Sequence, residues 1–281
     1  MKSNYRYIVK AFMAMAVIAG TTSCDDFLDR EPMSSISPET YYSTAAQLEA
    51  NLNDEYPNVL PSFGQWTYGI FGEDKGTDNQ IEVNANDRYT QDRWKVPHSE
   101  SDNWKFERIY RINFFLSEAL PKFGEDMSGS QNTISGSVAT IKHYIGEMYF
   151  LRAYEYFKKL QLFGDFPIID QPLADEMEAL REASKRFPRN EVARFIISDL
   201  DKAYAYMSDV DMATTRINKD AAMLVKSRVA LFEATWLQNF KGTAFVPGGE
   251  GWPGASLHNN YQYPSGNLDN EVKYFLEQAV E

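Results

Sequence analysis

Aromatic side chains are concentrated in a segment whose remaining composition is typical of loops, residues 61–104, rich in Asp, Asn, Gly and Gln. Sugar rings present apolar C–H faces ringed with hydroxyl groups, so a site for them needs flat aromatic surfaces and polar side chains. The segment supplies both, although the same aromatic residues would equally anchor a long loop on neighbouring helices. The candidate ligand-binding residues are the aromatic Trp66, Tyr68 and Trp94 and the polar Asp78, Asn79, Gln80 and Arg88.

A second aromatic-rich connector, residues 242–267, contains Trp252 between a glycine and a proline. Trp252 is a further ligand-binding candidate, and packing against another part of a longer protein or against a partner is the alternative. The connector also spells a formal G-x-G-x-x-G at residues 249–254. A dinucleotide-binding loop must follow a strand and open a helix, whereas Pro247 and Pro253 flank these glycines. We therefore exclude a nucleotide site here.

Catalytic and metal-binding chemistry find little support in the residue pattern. The histidines, His98, His143 and His258, lack the i, i+4 spacing of a zinc helix, and the chain has no C-x-x-C or G-x-S-x-G motif. A retaining glycosidase needs two carboxyl groups about 5 to 5.5 Å apart across a cleft, which neighbours such as Asp199 and Asp201 do not indicate. We predict a protein that is not an enzyme and needs no cofactor or metal.

The composition is that of a globular protein. The 281 residues include 28 Lys and Arg against 40 Asp and Glu, a net charge of -12, with 43% hydrophobic and 14% aromatic residues. Disordered chains have few aromatics, nucleic-acid binders have basic excess, and disulfide scaffolds need many cysteines, whereas this chain has one. All three classes are excluded.

The first 23 residues have the pattern of a secretory signal peptide. Three basic residues precede an apolar run at residues 11–20. This run is about ten residues long, whereas a bilayer-spanning helix needs roughly 20. We therefore predict a removable leader at residues 1–23 and a mature region at residues 24–281.

The single cysteine, Cys24, follows small residues at the predicted cleavage point. This placement is typical of the lipidation site of a bacterial lipoprotein. A buried thiol is the alternative, but Cys24 lies in a polar stretch that no core would enclose. Acyl chains such as palmitate contribute ~0.8 kcal/mol per buried methylene, so they would tether a folded body to a membrane.

Beyond Cys24 the apolar spacing is helical almost throughout. The predicted buried stripes are Ile109, Ile112, Leu116 and Ala119; Ile141, Tyr144, Ile145, Met148 and Leu151; Ile196, Leu200, Ala203 and Met207; and Val225, Val229, Phe232 and Trp236. Helix boundaries are predicted at Pro121, at residues 164–172, at Pro188 and at residues 242–254. We predict a mainly α fold of stacked helical hairpins resembling tetratricopeptide repeats, with long aromatic-rich loops.

Three blocks of residues resemble the SusD/RagB family of outer-membrane nutrient-binding lipoproteins. The first is C-D-D-F-L-D-R-E-P at residues 24–32. The second runs from E-M-Y-F-L-R-A-Y-E-Y-F into L-F-G-D-F-P-I-I within residues 147–169. The third joins P-R at residues 188–189 to T-R-I-N-K-D-A-A at residues 215–222. The resemblance spans about residues 24–240.

The resemblance implies a non-catalytic protein that holds glycans, or other nutrients, above a SusC-like TonB-dependent transporter. It implies a lipid anchor in the outer membrane with the body exposed at the cell surface. Members run near twice this length, so the sequence looks like an amino-terminal portion. Asp78, Arg88 and Trp94 are the nearest matches to an Asp, an Arg and a Trp that contribute to sugar sites in the family.

The quoted blocks themselves are expected to be scaffold. Arg152 is expected to pair with a carboxylate or with carbonyls of a neighbouring helix, and Gly164 is expected to end its helix. Two other functions stay open at this point. One is a helical interaction scaffold without a sugar site, and the other, less favoured, is a secreted glycoside hydrolase.

Overall fold

The computed structural model describes residues 41–61, 80, 103–124, 126–208, 212 and 215–281. Within these residues the secondary structure is helical, with isolated β-bridges and no strand. The helices are α1 (Ala45–Val59), α2 (Glu107–Phe123), α3 (Val138–Phe163), α4 (Met177–Ala183), α5 (Arg189–Tyr206), α6 (Lys219–Asn239), a 3-10 helix (Pro253–Ser256) and α7 (Leu268–Val280). The predicted mainly α class is confirmed.

The longest helix, α3, is the centre of the packing. It contacts α1, α2 and α5, and its residues are buried on nearly every side. The buried residues of α3 include charged ones such as Glu147 and Arg152 besides the apolar ones, because neighbouring helices enclose most of its surface. The predicted stripe of Ile141, Ile145, Met148 and Leu151 is fully buried.

The later helices pack in the order of the chain. α5 lies on α3, α6 lies on α5, and α7 lies on α6. Apart from the short α4, which has no buried residue, each of these helices thus packs against the next one along the chain. The predicted stacking of helical hairpins is confirmed.

The buried face of α6 differs from the predicted stripe. Val229 is buried as predicted, but Phe232 and Trp236 are only half-buried. The face that packs inward carries alanines, Val229 and Leu237 together with two charged residues, Lys226 and Glu233. Alanines let neighbouring helices approach closely, and Glu233 is tolerated inside because Arg189 pairs with it.

Helix ends follow the predicted signals with one exception. Gly164, at a φ of +67°, follows α3 in a left-handed conformation that only glycine adopts easily. Pro188 is the residue immediately before α5. Pro121, however, lies inside the last turn of α2, which ends at Phe123, so this predicted boundary is two residues short.

No helix in the described ranges is both long enough and apolar enough to span a membrane.

Candidate functional site

Most of the predicted site residues lie outside the described part of the chain. These are Cys24, Trp66, Tyr68, Asp78, Asn79, Arg88 and Trp94, and they stay predictions. The structure does describe both ends of the aromatic segment and the whole 242–267 connector with Trp252.

Two consecutive lysines of α3 hold the residues that flank the aromatic segment. Lys158 donates from Nζ to the carbonyl of Val59, at the end of α1. Lys159 donates from Nζ to the carbonyl of Asn103, at 2.8 Å. Glu155, one turn earlier, lies 3.6 Å and 3.3 Å from the two ammonium groups. The two points where the segment leaves and rejoins the helices are therefore fastened side by side on α3.

A polar pocket of about 410 Å³ lies at this point. Its lining residues are Asn103, Lys105, Glu107, Arg108, Glu155, Lys158, Lys159 and Leu162. Its lysines from α3 are already bonded to carbonyls and to Glu155. These lysines hold the carbonyls of Val59 and Asn103 on α3.

Trp252 lies against the end of α3. Its side chain is 5% exposed, and its indole Nε1 donates to Oδ2 of Asp165 at 2.7 Å. The other oxygen of Asp165 accepts from the backbone N–H of Arg189 at 2.9 Å. Burial raises the pKa of Asp165, although both hydrogen bonds oppose this shift. Asp165 thereby ties the 242–267 connector to the beginning of α5.

Arg189 forms the floor of the space beside Trp252. Its Nε and Nη2 donate to the carboxylate of Glu233 at 2.9 to 3.1 Å, in a buried bidentate pair. Its guanidinium lies 4.1 Å from the ring centroid of Trp236. The indole of Trp236 is fixed in turn, since its Nε1 donates to the carbonyl of Phe245 at 3.0 Å.

A pocket of about 520 Å³ opens above this floor. Its rim includes Leu162, Phe245 and Leu257, which are all exposed, and the exposed Arg186. Such a pocket combines apolar surface with a few convergent polar groups, which is the usual constitution of a small-ligand site. The surroundings of Trp252 are thus a candidate site, which we call the Trp252 pocket.

The second resemblance block supplies scaffold, as predicted for Arg152. Its Nε and Nη2 donate to the carboxylate of Asp199 at 2.6 and 2.8 Å. Its Nη1 donates to Oδ1 of Asn113 and to the carbonyl of Asp170, both at 2.9 Å. This buried network joins α2, α3 and α5.

Buried His143 is a structural residue. Its Nδ1 accepts from the backbone N–H of Ser208 at 3.2 Å, so the proton resides on Nε2. Nε2 lies 3.0 Å from both the carbonyl of Ile217 and Oε1 of Glu147. Among the described residues, no group of three or more His, Cys, Asp or Glu side chains could hold a metal ion.

Sequence reasoning missed the convergence at the Trp252 pocket. It treated Asp165 as part of a helix-ending motif and took Arg189 as a mark of resemblance only. Phe245 and Arg186 carried no signal of their own. The L-F-G-D and P-R motifs were visible, but nothing in their spacing indicates that both meet a tryptophan 87 residues after Asp165.

A SusD-like family model, described as starch-binding and associating with the outer membrane, matches residues 26–231. Two SusD-like proteins of Formosa agariphila are each 25% identical to this chain, over 253 and 233 residues. These alignments cover 86% and 76% of this chain but 46% and 41% of the relatives. The chain thus spans less than half the length of these curated relatives.

Solved structures that this chain matches include a SusD-like carbohydrate binding protein of Bacteroides vulgatus. It has a TM-score of 0.47 and 16% identity, over 69% of this chain and 43% of that one. A SusD-like protein of Bacteroides fragilis has a TM-score of 0.45 and 19% identity, over 75% of this chain and 40% of that one.

Proposed function

This chain belongs to the SusD-like family, and from that premise we propose that it binds glycans without converting them chemically. The observation that carries the proposal is the family match over residues 26–231, to a family described as starch-binding. The aromatic segment 61–104 supports it, because its composition suits stacking on sugar rings. Trp66, Tyr68, Asp78, Asn79, Arg88 and Trp94 are the proposed contacts there.

The proposed location is the outer membrane, with Cys24 as the acylated first residue of the mature chain. The family description, which associates its members with the outer membrane, supports this location. Delivery to a SusC-like TonB-dependent transporter is the proposed purpose of binding. A lipid tether would keep the glycan-binding body beside such a transporter while leaving it in water.

Binding without catalysis is consistent with the state of the buried carboxylates. Asp199 is paired with Arg152, Glu147 with Arg216, and Glu233 with Arg189. A general acid or a nucleophile must reach a substrate, and each of these carboxylates is instead engaged by an arginine of the protein.

Affinity electrophoresis of the full chain across a panel of polysaccharides tests the proposal. We expect retardation by at least one neutral glycan, and we expect Trp94→Ala to weaken it. Loss of a central aromatic anchor costs about 1 to 3 kcal/mol, which corresponds to roughly a 5- to 150-fold loss of affinity. Tyr204→Ala, at an exposed aromatic residue of α5, is the matched control and should migrate like the unmodified protein.

Three results would contradict the proposal in different ways. Absence of retardation by every glycan would remove the carbohydrate assignment. Release of shorter sugars from a bound oligosaccharide would identify a glycoside hydrolase. Co-purification with a transporter, together with no glycan binding, would favour an interaction scaffold.

A further inference from the structure

The Trp252 pocket has the size of a small-ligand site. Its volume of about 520 Å³ falls inside the range of roughly 300 to 1,000 Å³ that is usual for such sites. It is built from the end of α3, the beginning of α5, α6 and the 242–267 connector. Its described lining residues come from these elements and from Arg186.

One guanidinium nitrogen at the pocket, Nη1 of Arg189, is available to a ligand. Arg189 is 4% exposed, and Glu233 occupies its Nε and Nη2. Its Nη1 has no hydrogen-bond acceptor in the part of the chain that the structure describes. Gly164 leaves the space beside this atom open, because a Cβ built at residue 164 would lie 3.5 Å from Nη1. A guanidinium N–H that no described protein acceptor occupies can form a charge-assisted hydrogen bond to a ligand oxygen.

The other polar side chains of the floor are already satisfied. Asp165 accepts two hydrogen bonds, one from Trp252 and one from the backbone of Arg189. The indole N–H of Trp236 is occupied by the carbonyl of Phe245. The floor therefore offers a ligand a hydrogen-bond donor, whereas the carboxylate of Asp165 already accepts hydrogen bonds from the protein.

The rim adds a second guanidinium. Arg186 is exposed and stacks over Trp104, with 4.6 Å between its Cζ and the ring centroid. Across the described ranges it forms no ion pair with a carboxylate. The stacking restricts the guanidinium to one region of the rim, so binding an anion would cost it less side-chain entropy than a free arginine would lose.

An apolar wall faces these donors. Phe245 is 60% exposed although its backbone is held by Trp236, and Leu257 is exposed beside it in the pocket lining. A sugar ring could place its C–H face against Phe245 while its acceptor groups reach the arginines. Neutral sugars bring as many hydroxyl donors as acceptors, whereas a carboxylate brings acceptors alone.

We propose that the Trp252 pocket binds a sugar residue that carries a carboxylate, a uronic acid. Arg186 receives the carboxylate, Arg189 Nη1 donates to a ring or hydroxyl oxygen, and Phe245 supports the ring. The inference deepens the proposed function, since it takes from it only that the ligand is a saccharide. The inference uses none of the candidates that the sequence predicts in segment 61–104.

Methyl β-D-glucuronide and methyl β-D-glucoside, which differ only at C6, test the inference by titration calorimetry and saturation-transfer NMR on the full chain. We expect the glucuronide to bind at least about tenfold more tightly, as one charge-assisted bidentate contact would provide. Arg186→Gln should remove this preference and leave glucoside binding unchanged, whereas Arg186→Lys should retain part of it. Arg228→Gln, at an exposed arginine of α6 outside the pocket, is the matched control.

Phe245→Ala tests the wall independently, and it should weaken both sugars because it removes ring packing. Equal affinity for the two sugars would overturn the inference, as would glucuronide binding that neither Arg186→Gln nor Phe245→Ala changes. The proposed function can fail without the pocket assignment failing. The two are distinguished by Trp94→Ala, which should still bind the glucuronide in the pocket. The pocket assignment can therefore be tested independently of whether polysaccharides retard the protein.

Discussion

At the scale of single residues, the interior of this protein is joined by arginine–carboxylate pairs. Arg152 pairs with Asp199, with both partners almost fully buried, and Arg189 pairs with Glu233 in the same way. A buried ion pair gains little net stability over apolar residues of the same size. Breaking one is costly, however, because the remaining charge stays buried without compensation. Such pairs therefore specify which helix faces meet.

Asp199→Asn should destabilise the protein strongly. The substitution leaves the guanidinium of Arg152 buried beside a neutral amide, and breaking a buried pair costs about 3 to 5 kcal/mol. Urea unfolding followed by circular dichroism measures the loss. Asp269→Asn is the control, because Asp269 pairs with Lys241 on the surface and should cost at most about 1 kcal/mol. Equal small losses in both variants would contradict the role assigned to Asp199.

At the scale of elements, α7 is fastened to α5 through one carboxylate. Glu271, in the first turn of α7, accepts from Arg194 at 2.7 and 2.9 Å and from Asn190 at 3.0 Å. The backbone N–H of Ser265 adds a further hydrogen bond at 3.1 Å. The charged form of Glu271 therefore holds together two helices that are distant in sequence.

Acid should weaken this attachment. Burial by itself would raise the pKa of Glu271, but the hydrogen bonds from Arg194, Asn190 and Ser265 outweigh it and hold the pKa below its ordinary value of 4.5. A carboxyl group with a lowered folded-state pKa contributes stability above its unfolded pKa and loses it as pH falls through the folded value. We expect Glu271→Gln to lose less stability than the unmodified protein between about pH 6 and about pH 3.

Urea unfolding at the two pH values measures this difference. The control is Glu277→Gln, at an exposed residue of the same helix that pairs with Lys273 on the surface. It should keep the full pH dependence of the unmodified protein. An identical acid response in Glu271→Gln would show that the carboxylate does not fasten α7.

At the scale of the whole molecule, the net charge of -12 opposes anions at long range. This repulsion is screened beyond about 8 Å at physiological ionic strength, so local arginines decide what the Trp252 pocket accepts. The proposed membrane tether also concerns the whole molecule. It depends on Cys24, which lies outside the described residues.

Cys24→Ala should release the protein from the membrane fraction. Acylation of Cys24 would anchor the mature chain, and removing the thiol removes the attachment point while leaving the folded body unchanged. Fractionation of cells, with mass spectrometry of the product, measures the change. Ser23→Ala, one residue earlier, should stay in the membrane fraction. An intact leader, or an unmodified thiol in the unsubstituted protein, would contradict the anchor.

Local sequence determined the helices, because apolar periodicity and terminators act within a few turns. The stripes of α2 and α3 and the end of α3 at Gly164 were all predictable in this way. Composition also pointed to the aromatic segment 61–104, whose role stays a prediction. Family membership was likewise predictable from short sequence motifs.

Only the tertiary structure decided which charged residues lie inside and where Trp252 resides. The inward face of α6 is set by the pairing of Glu233 with Arg189, 44 residues away, and not by its largest apolar residues. Trp252 meets Asp165 across 87 residues, and the Trp252 pocket follows from that meeting. Periodicity reports the face that a helix buries, but it carries no information about which distant partner makes a buried charge tolerable.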